Sequence, residues 1–411
     1  VVELLHDVVI VGAGPAGSTT ALRLARAGFS VALVDARRFP RFKACGEFMS
    51  PEVLPMLDEL GLRAELEAHG VREVRGMVLH GHGKRVSGRF VDVGRAHAPF
   101  DYGWAVRREV FDEVLLRAAQ RAGARVYEGW RVEELLRGAD GEVVGVLAHQ
   151  PGGAPIRLRA RWTIGADGTR SAVATALGVR KESSWLRKLA LTTRYEGVDW
   201  GDLAEVHFLE HGFFACAPID GGAVSLNLVL DRAEYERERL GRDELLETWL
   251  ARTPQLGERL ARGRRIDPVR GTGSMAMTTS AQVQDGVALV GDAAGYVDPV
   301  TGEGIFFAIK GAQMLASALE PALHDYRTDA GSLASYLGGR KREIAPRAAV
   351  STLLQRGLRH PRLVSAAFRL LAGRPRLVDT IVSVAGDYVP TRELLRPKVW
   401  VDALALGRKP A

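Results

Sequence analysis

The chain has 411 residues, 46% of them apolar and 26% charged, and a formal net charge of +7. This is enough length for two cores, or for one large core and a lobe, and it excludes a disulfide-stapled miniprotein; the composition excludes a disordered, collagenous or coiled-coil chain. Two cysteines, Cys45 and Cys216, are too few for a disulfide framework or a Cys-based zinc or iron–sulfur site, and fit a reducing cytoplasm.

The first residues, VVELLHDVVIVG, carry no basic leader or cleavage site and read as a first strand, not a signal peptide. No apolar run approaches the ~20 residues of a membrane-spanning helix. Residues 7–35 then read strand, glycine turn, helix, strand: DVVIVG is β-branched, PAGSTTALRLARAG has helical spacing, and SVALVD is a second apolar run. After an Arg-, Phe- and Pro-rich loop comes a short helix near 53–60, and an alternating stretch near 74–93 reads as a hairpin set. An amphipathic helix is expected over 110–122 and strands over 126–132 and 143–149, with a buried run ending at Thr163–Gly168. From 189 to 230 short alternating strands (LALTTRYEG, AEVHFLE, GFFACAPI, AVSLNLVL) predict an antiparallel sheet separate from the parallel one. A helix near 243–251 leads to the strand GVALVGD, and a long helix starts near Glu303.

From about Ser332 helical stretches alternate with prolines. From Arg340 onward there are fifteen Lys or Arg and five Asp or Glu, a local +10, so residues 1–339 sum to −3. Such a segment either presents solvated helix faces or meets an anionic membrane surface or an acidic carrier. No aromatic-interleaved basic groove marks a nucleic-acid partner. The location expected is cytoplasmic, with or without peripheral contact to a membrane.

Gly12-Ala13-Gly14-Pro15-Ala16-Gly17 lies where a strand passes into a helix, and Asp35 closes the next strand. The glycines let a pyrophosphate approach the backbone at a helix N-terminus, and the acid can accept from an adenosine ribose. This motif alone does not choose between NAD and FAD. Thr163-Ile164-Gly165-Ala166-Asp167-Gly168-Thr169-Arg170-Ser171 and Gly291-Asp292-Ala293-Ala294-Gly295 resemble the second and third fingerprints of the p-hydroxybenzoate hydroxylase-like FAD oxidoreductases. Asp298-Pro299-Val300-Thr301-Gly302-Glu303-Gly304-Ile305 and Pro40-Arg41-Phe42-Lys43-Ala44-Cys45-Gly46-Glu47 look like the branch of geranylgeranyl reductases and flavin-dependent halogenases. The resemblance covers about 7–325.

It implies an α/β fold: a Rossmann-like FAD-binding domain (1–75, 96–180 and 267–335), an inserted antiparallel substrate sheet (76–95 and 181–266) and a basic helical C-terminal segment (336–411). It implies FAD contacts from Gly12, Gly14, Pro15, Ala16, Gly17, Asp35, Ala36, Arg37, Arg41, Ala44, Cys45 and Arg107, and from Asp167, Gly168, Gly291, Asp292, Pro299, Gly302, Gly304 and Ile305. Asp292 would bind a ribityl hydroxyl or simply cap a turn. Arg107 would reach the phosphate or ribityl region or be a surface arginine, and Asp167 would hold the turn near the pyrophosphate. Pro299 and Gly304 would border the reacting ring beside Cys45, a thiol that either donates a proton or only packs. Phe48, Met49, Phe213, Phe214 and Cys216 are candidates for a substrate pocket. His80 and His82, or His207 and His211, lack a third ligand in sequence, so no metal is expected.

No second nucleotide-binding glycine motif is present, so NADPH or NADH would visit transiently as reductant. The expected reaction is hydroxylation of an aromatic or polyketide-like apolar substrate, free or carrier-bound, through a flavin C4a-hydroperoxide. The alternative is reduction of an isoprenoid or other C=C bond. Halogenation is less favoured because the tryptophan-containing WxWxIP element of halogenases is absent from Gly212–Ile219, and a non-catalytic flavin-binding protein is the remaining possibility.

Overall fold

The computed structural model describes residues 2–273, 275–296 and 302–404. It is an α/β protein with a Rossmann-like sheet, a second, largely antiparallel sheet and C-terminal helices. The first half contributes β1 (Val2–Val11), α1 (Pro15–Arg26), β2 (Val31–Asp35), β3 (Gly76–Gly81), β4 (Lys84–Arg89), α2 (Arg108–Arg121), β5 (Arg125–Glu128) and β6 (Ile156–Gly165). Next come β7 (Lys188–Glu196), β8 (Ala204–Leu209), β9 (Gly212–Pro218), β10 (Val224–Asp231), α3 (Arg242–Ala251) and α4 (Pro254–Leu260). The last are β11 (Val287–Leu289), α5 (Gly304–His324), α6 (Ala345–Leu358), α7 (Pro361–Leu371) and α8 (Pro375–Ala385).

Strands β5-β2-β1-β6-β11 form a parallel sheet. The apolar run of β1 is continuous because both faces are covered. Val8 and Ile10 pack with residues of α1, α2 and α5, whereas Val9 and Val11 pack with the opposite layer. The single strand expected over 126–132 is instead two, Arg125–Glu128 and Arg131–Arg137, parted at Gly129 (φ +81). The Gly129 and Trp130 amides both bond to the Asp35 carbonyl, which turns the chain into an antiparallel hairpin with Val143–His149.

The second sheet has the order β7-β10-β9-β8-β3-β4, antiparallel except where β8 meets β3. Its two faces are set by alternation. Phe214, Cys216, Leu226 and Leu228 pack under α3 and α4, the latter helix unforeseen in the sequence, while Phe213, Ala215 and Val229 face the other way. The basic C-terminal segment is folded against this sheet. A Cβ at Gly81 would come 2.6 Å from Phe368 of α7, and one at Gly88 would come 2.9 Å from the backbone of Val378 in α8, so two glycines on β3 and β4 admit the helices. Among the described residues no helix is long and apolar enough to cross a membrane.

Candidate functional site

A cavity of about 380 Å³ lies between the C-terminal ends of the parallel strands and the inner face of the second sheet. The glycine turn forms its floor, and each glycine there has a different task. Gly12 has φ +100, and a Cβ on it would lie 2.5 Å from the Ala166 carbonyl oxygen; a Cβ on Gly17 would strike the Gly12 oxygen at 1.8 Å. These two close the strand–helix turn. A Cβ on Gly14 would meet only the movable guanidinium of Arg41, at 3.5 Å, so Gly14 keeps the cavity itself clear. Helix α1 begins there with Pro15 at its first turn and without a side-chain cap, leaving amide donors and the positive end of the helix dipole turned toward the cavity.

Asp35 accepts from the Ala13 amide (2.9 Å) and the Arg37 amide (2.8 Å), which fixes its carboxylate at the cavity wall. The Arg37 side chain itself is exposed and does not line the cavity, contrary to the sequence expectation; its amide alone takes part. Ala36, Arg41, Ala44, Cys45 and Gly168 do line it. Asp167 accepts from the amides of Ala172 (2.7 Å) and Val173, while its Oδ1 is buried without a partner. Opposite, Asp292, Gly302, Gly304 and Ile305 line the wall, and α5 starts at Gly304 without a side-chain cap. Gly17 and Gly291 stand behind the wall: a Cβ on Gly291 (φ +61) would be 2.8 Å from Ala16, so this glycine lets the third fingerprint sit on α1. Pro299 lies outside the described residues.

The arginine expected at the cavity is displaced by one position. Arg107 points to the second sheet, donating its amide to Asp220 (3.0 Å) and pairing with the same carboxylate at 3.4 Å. Arg108, the first residue of α2, lines the cavity and binds Asp112 through Nε (2.7 Å) and Nη2 (2.9 Å). Burial works against the Arg108 cation, but Asp112 and Cys45 hold its pKa above the usual value. Cys45 Sγ accepts from the Glu47 amide (3.3 Å) and lies near the Arg108 cation.

Two further groups, Lys43 and Glu47, were not singled out from the sequence. Lys43 lines the cavity, and burial lowers its ammonium pKa, with Arg108 and Arg41 adding to the effect and Asp292 opposing it. Asp292 is pushed up by burial, with Lys43 and Arg108 opposing. Glu47 is buried at the rim and bound to Arg194 of β7. Lys43 and Glu47 fall inside the Pro40–Glu47 motif, but a loop has no period that tells which side chains turn inward.

The second sheet supplies the apolar wall through Ala190, Phe213, Ala215 and Val229, with Asn227 among them and Phe48 facing them. Phe214 and Cys216 are corrected: they occupy alternate positions of β9 and point into the helix-covered core. Met49 is corrected too, being fully buried with the parallel-sheet core. Outside the cavity, His80 does find the ligands that its sequence neighbourhood lacks. His80 and His207 both place Nε2 at 3.3 Å from Oε2 of Glu205. Their rings are stacked 4.1 Å apart and parallel within 2°, so the nitrogen lone pairs run in parallel planes and do not converge, and Arg259 already binds Glu205 at 2.7 Å.

The features that suit a dinucleotide are thus an uncapped helix start cleared by Gly14, an oriented acid at Asp35 and an orphaned buried oxygen on Asp167. A model of the FAD-binding domain matches residues 6–350. The chain is 27% identical over 330 residues to the tryptophan 2-halogenase of Chondromyces crocatus, covering 76% of this chain and 60% of that protein. It is 29% identical to the menaquinone reductase of Mycobacterium tuberculosis, covering 76% of each. The solved structure of the flavin-dependent brominase Bmp2 superposes with a TM-score of 0.81 at 21% identity, over 98% of both chains, which shows the fold.

Proposed function

The chain belongs to the FAD-binding-domain family, and from that premise we propose that it is an FAD-dependent monooxygenase acting on an apolar aromatic or polyketide-like substrate, with NADPH or NADH as transient reductant. The observation that carries this reading is the shared cavity: the sheet face with Ala190, Phe213, Ala215 and Val229 opens into the same space as the glycine turn and Asp292. An apolar ring held there is screened from water on one side and met by a few polar groups on the other. The relatives include halogenases, yet the Gly212–Pro218 wall lacks the tryptophans of the halogenase element, so the likeness is weakest where substrate is met.

In this reading the start of α1 takes the pyrophosphate, Asp35 the adenosine ribose, Asp292 the ribityl chain, and the amides opening α5 the negative edge of the ring system. Bound FAD would supply two-electron reduction by the nicotinamide and activation of oxygen. The balance is substrate, O2, NAD(P)H and a proton giving hydroxylated substrate, water and NAD(P)+. Lys43, lowered from the usual ammonium range, is suited to take up and return a proton at Nζ. The Arg108–Asp112 pair fixes the rim on which Cys45 sits. On the outer faces of α6 and α7, exposed Leu353 and Leu363 lie among exposed Arg356, Arg362 and Arg369, which supports delivery of the substrate on an acidic carrier.

The test is NAD(P)H oxidation under oxygen with candidate phenols, in buffers containing chloride or bromide. Substrate-dependent turnover giving a product that gains one oxygen atom is the expected result, and a halogenated product overturns the reading. One observation favours a second reading, reduction of a C=C bond: the Cys45 thiol lines the cavity, its sulfur accepting from the Glu47 amide, and stands where it can hand a proton to a substrate carbon. Anaerobic reoxidation of the reduced protein by an alkene would select it.

A further inference from the structure

We propose that Arg347 of α6 is a positioning residue for the bound flavin: held in a buried cluster with Glu303, Glu52 and Asp387, it sets the charge behind the start of α5 and thereby the reduction potential of the ring system. The inference rests on the placement of the negative edge of the ring at α5 and is independent of which reaction follows.

Glu303 directly precedes α5, between Gly302 and Gly304. Those two glycines line the cavity, whereas the Glu303 side chain, 7% exposed, meets the C-terminal helices instead. Arg347 Nη1 lies 3.8 Å from its Oε1, and Ser351, one turn further along α6, donates to its Oε2 (3.3 Å). The same guanidinium donates to Glu52 (2.7 Å), just ahead of the helix Val53–Glu59, and to Asp387, just past α8. It also lies over the Phe306 ring of α5, 4.2 Å from the centroid. Near its other end α6 is tied to the second sheet, where Lys188 Nζ of β7 donates to Gln355 Oε1 (2.7 Å). Arg347 is thus fixed against the root of α5 by a helix anchored at both ends.

One guanidinium here meets three carboxyl groups, while Lys310 and Glu343 act on Glu52 with opposite signs. Burial works against the Arg347 cation, but Asp387, Glu52 and Glu303 hold its pKa above the usual value. Burial, with Glu303 adding to it, pushes the Asp387 carboxyl well above its ordinary range against the pull of Arg347. The excess of acid is therefore relieved at Asp387, and the cation stays beside Glu303. A carboxylate at the N-terminal end of α5 offsets the positive end of the helix dipole, and the neighbouring guanidinium restores it. Reduction places negative charge on the ring, so Arg347 favours the reduced form and Glu303 opposes it. The C-terminal segment, which the sequence marked only by its basic charge, thus places one of its cations inside the fold.

The experiment uses the FAD-loaded protein and reads the midpoint potential of the bound flavin by anaerobic equilibration with reference dyes. Glu303→Gln keeps the shape and removes the anion, and is expected to shift the balance of oxidised and reduced flavin on the order of tenfold toward reduced, about 30 mV for a two-electron couple. Arg347→Gln is expected to shift it by a similar factor the other way; should that variant not fold, Glu303→Gln decides alone. A potential that is unchanged, or moves in the opposite direction, in either folded and flavin-loaded variant overturns the role of Arg347. Gly304→Ala tests the placement separately. Among the described residues its Cβ would meet nothing nearer than the Tyr296 ring at 3.9 Å, so it crowds the cavity and not the fold. An altered spectrum of the bound flavin there puts the ring at α5 and leaves the potentials to judge Arg347. Spectrum and flavin retention equal to those of the parent overturn the placement, and the inference with it.

Discussion

Arg194 of β7 donates from Nε and Nη2 to both carboxylate oxygens of Glu47, whose backbone is held at φ +60 on the rim of the flavin-side cavity. The same guanidinium reaches Glu109 of α2 and Asp267, so one cation is shared by three acids. Burial pushes the Glu47 carboxyl above its ordinary range although Arg194 pulls it back. Glu109, less buried, is held below its ordinary range by the same arginine. The cluster clasps the second sheet to the FAD-binding sheet and sets the width of the cavity between them.

Removing the cation should therefore be costly. Arg194→Met leaves the buried Glu47 carboxylate without its cation and is expected to lower stability by ~3–5 kcal/mol. Adding Glu47→Gln to it should recover part of the loss, since the excess negative charge falls. Urea unfolding midpoints check both, and an Arg194→Met midpoint equal to that of the parent would refute the clasp.

The glycines of the first turn should separate folding from flavin binding. Gly12→Ala forces a left-handed alanine onto the Ala166 carbonyl and is expected to yield misfolded protein. Gly14→Ala meets only the Arg41 side chain and should fold, yet retain FAD on the order of tenfold more weakly, the ~1–3 kcal/mol of overpacking at the cradle. Full flavin content in purified Gly14→Ala would contradict that assignment.

Adjacent phenylalanines should behave oppositely. Phe214→Ala opens a hole in the α3–α4 core and is expected to cost ~3–5 kcal/mol in stability while leaving ligand affinity as it was. Phe213→Ala, on the cavity face, should change the affinity for candidate phenols. Thermal unfolding and flavin-perturbation titration, run side by side, would expose an inverted assignment at once.

Acid should weaken the second sheet in two stages. Burial holds the His207 pKa below 6.5, helped by His80 and Arg259 and opposed by Glu205. The unfolded chain then takes up a proton that the folded one refuses. Stability is complete above 6.5 and lost as pH falls from there through the lowered value. Glu205 is held far below its usual 4.5 because bonds from His207, His80 and Arg259 outweigh burial, so its contribution is present above 4.5 and is lost at still lower pH. His207→Asn should flatten the upper stage alone, as seen in melting temperature between pH 5 and 7. An unchanged slope would remove His207 as its source.

Cys45→Ser should retain FAD, since serine can still accept from the Glu47 amide. If the thiol supplies the proton in alkene reduction, the anaerobic rate should fall at least tenfold while substrate affinity holds. Equal rates would leave Cys45 as packing.

Much of the FAD half was legible because it rests on local rules. The β-branched run, the glycine turn, the helical spacing and Asp35 lie within one short stretch, and steric limits at Gly12 and Gly17 act between near neighbours. The alternation of 189–230 likewise announced a sheet. Alternation says that Phe213 and Phe214 face opposite ways but not which way is the cavity, because that depends on α3 and α4 covering one face. Helix phase was equally silent between Arg107 and Arg108 until Asp112 and Asp220 took one each. Lys43 and Glu47 were placed by a loop, where no period exists, and the Lys188–Gln355 bridge spans 167 residues. Sequence by itself determined most of the elements and the dinucleotide cradle, whose chemistry is carried by neighbours in the chain. Tertiary structure decided which side of each strand meets the cavity and what roofs it, because burial of a face is fixed by distant segments packing upon it.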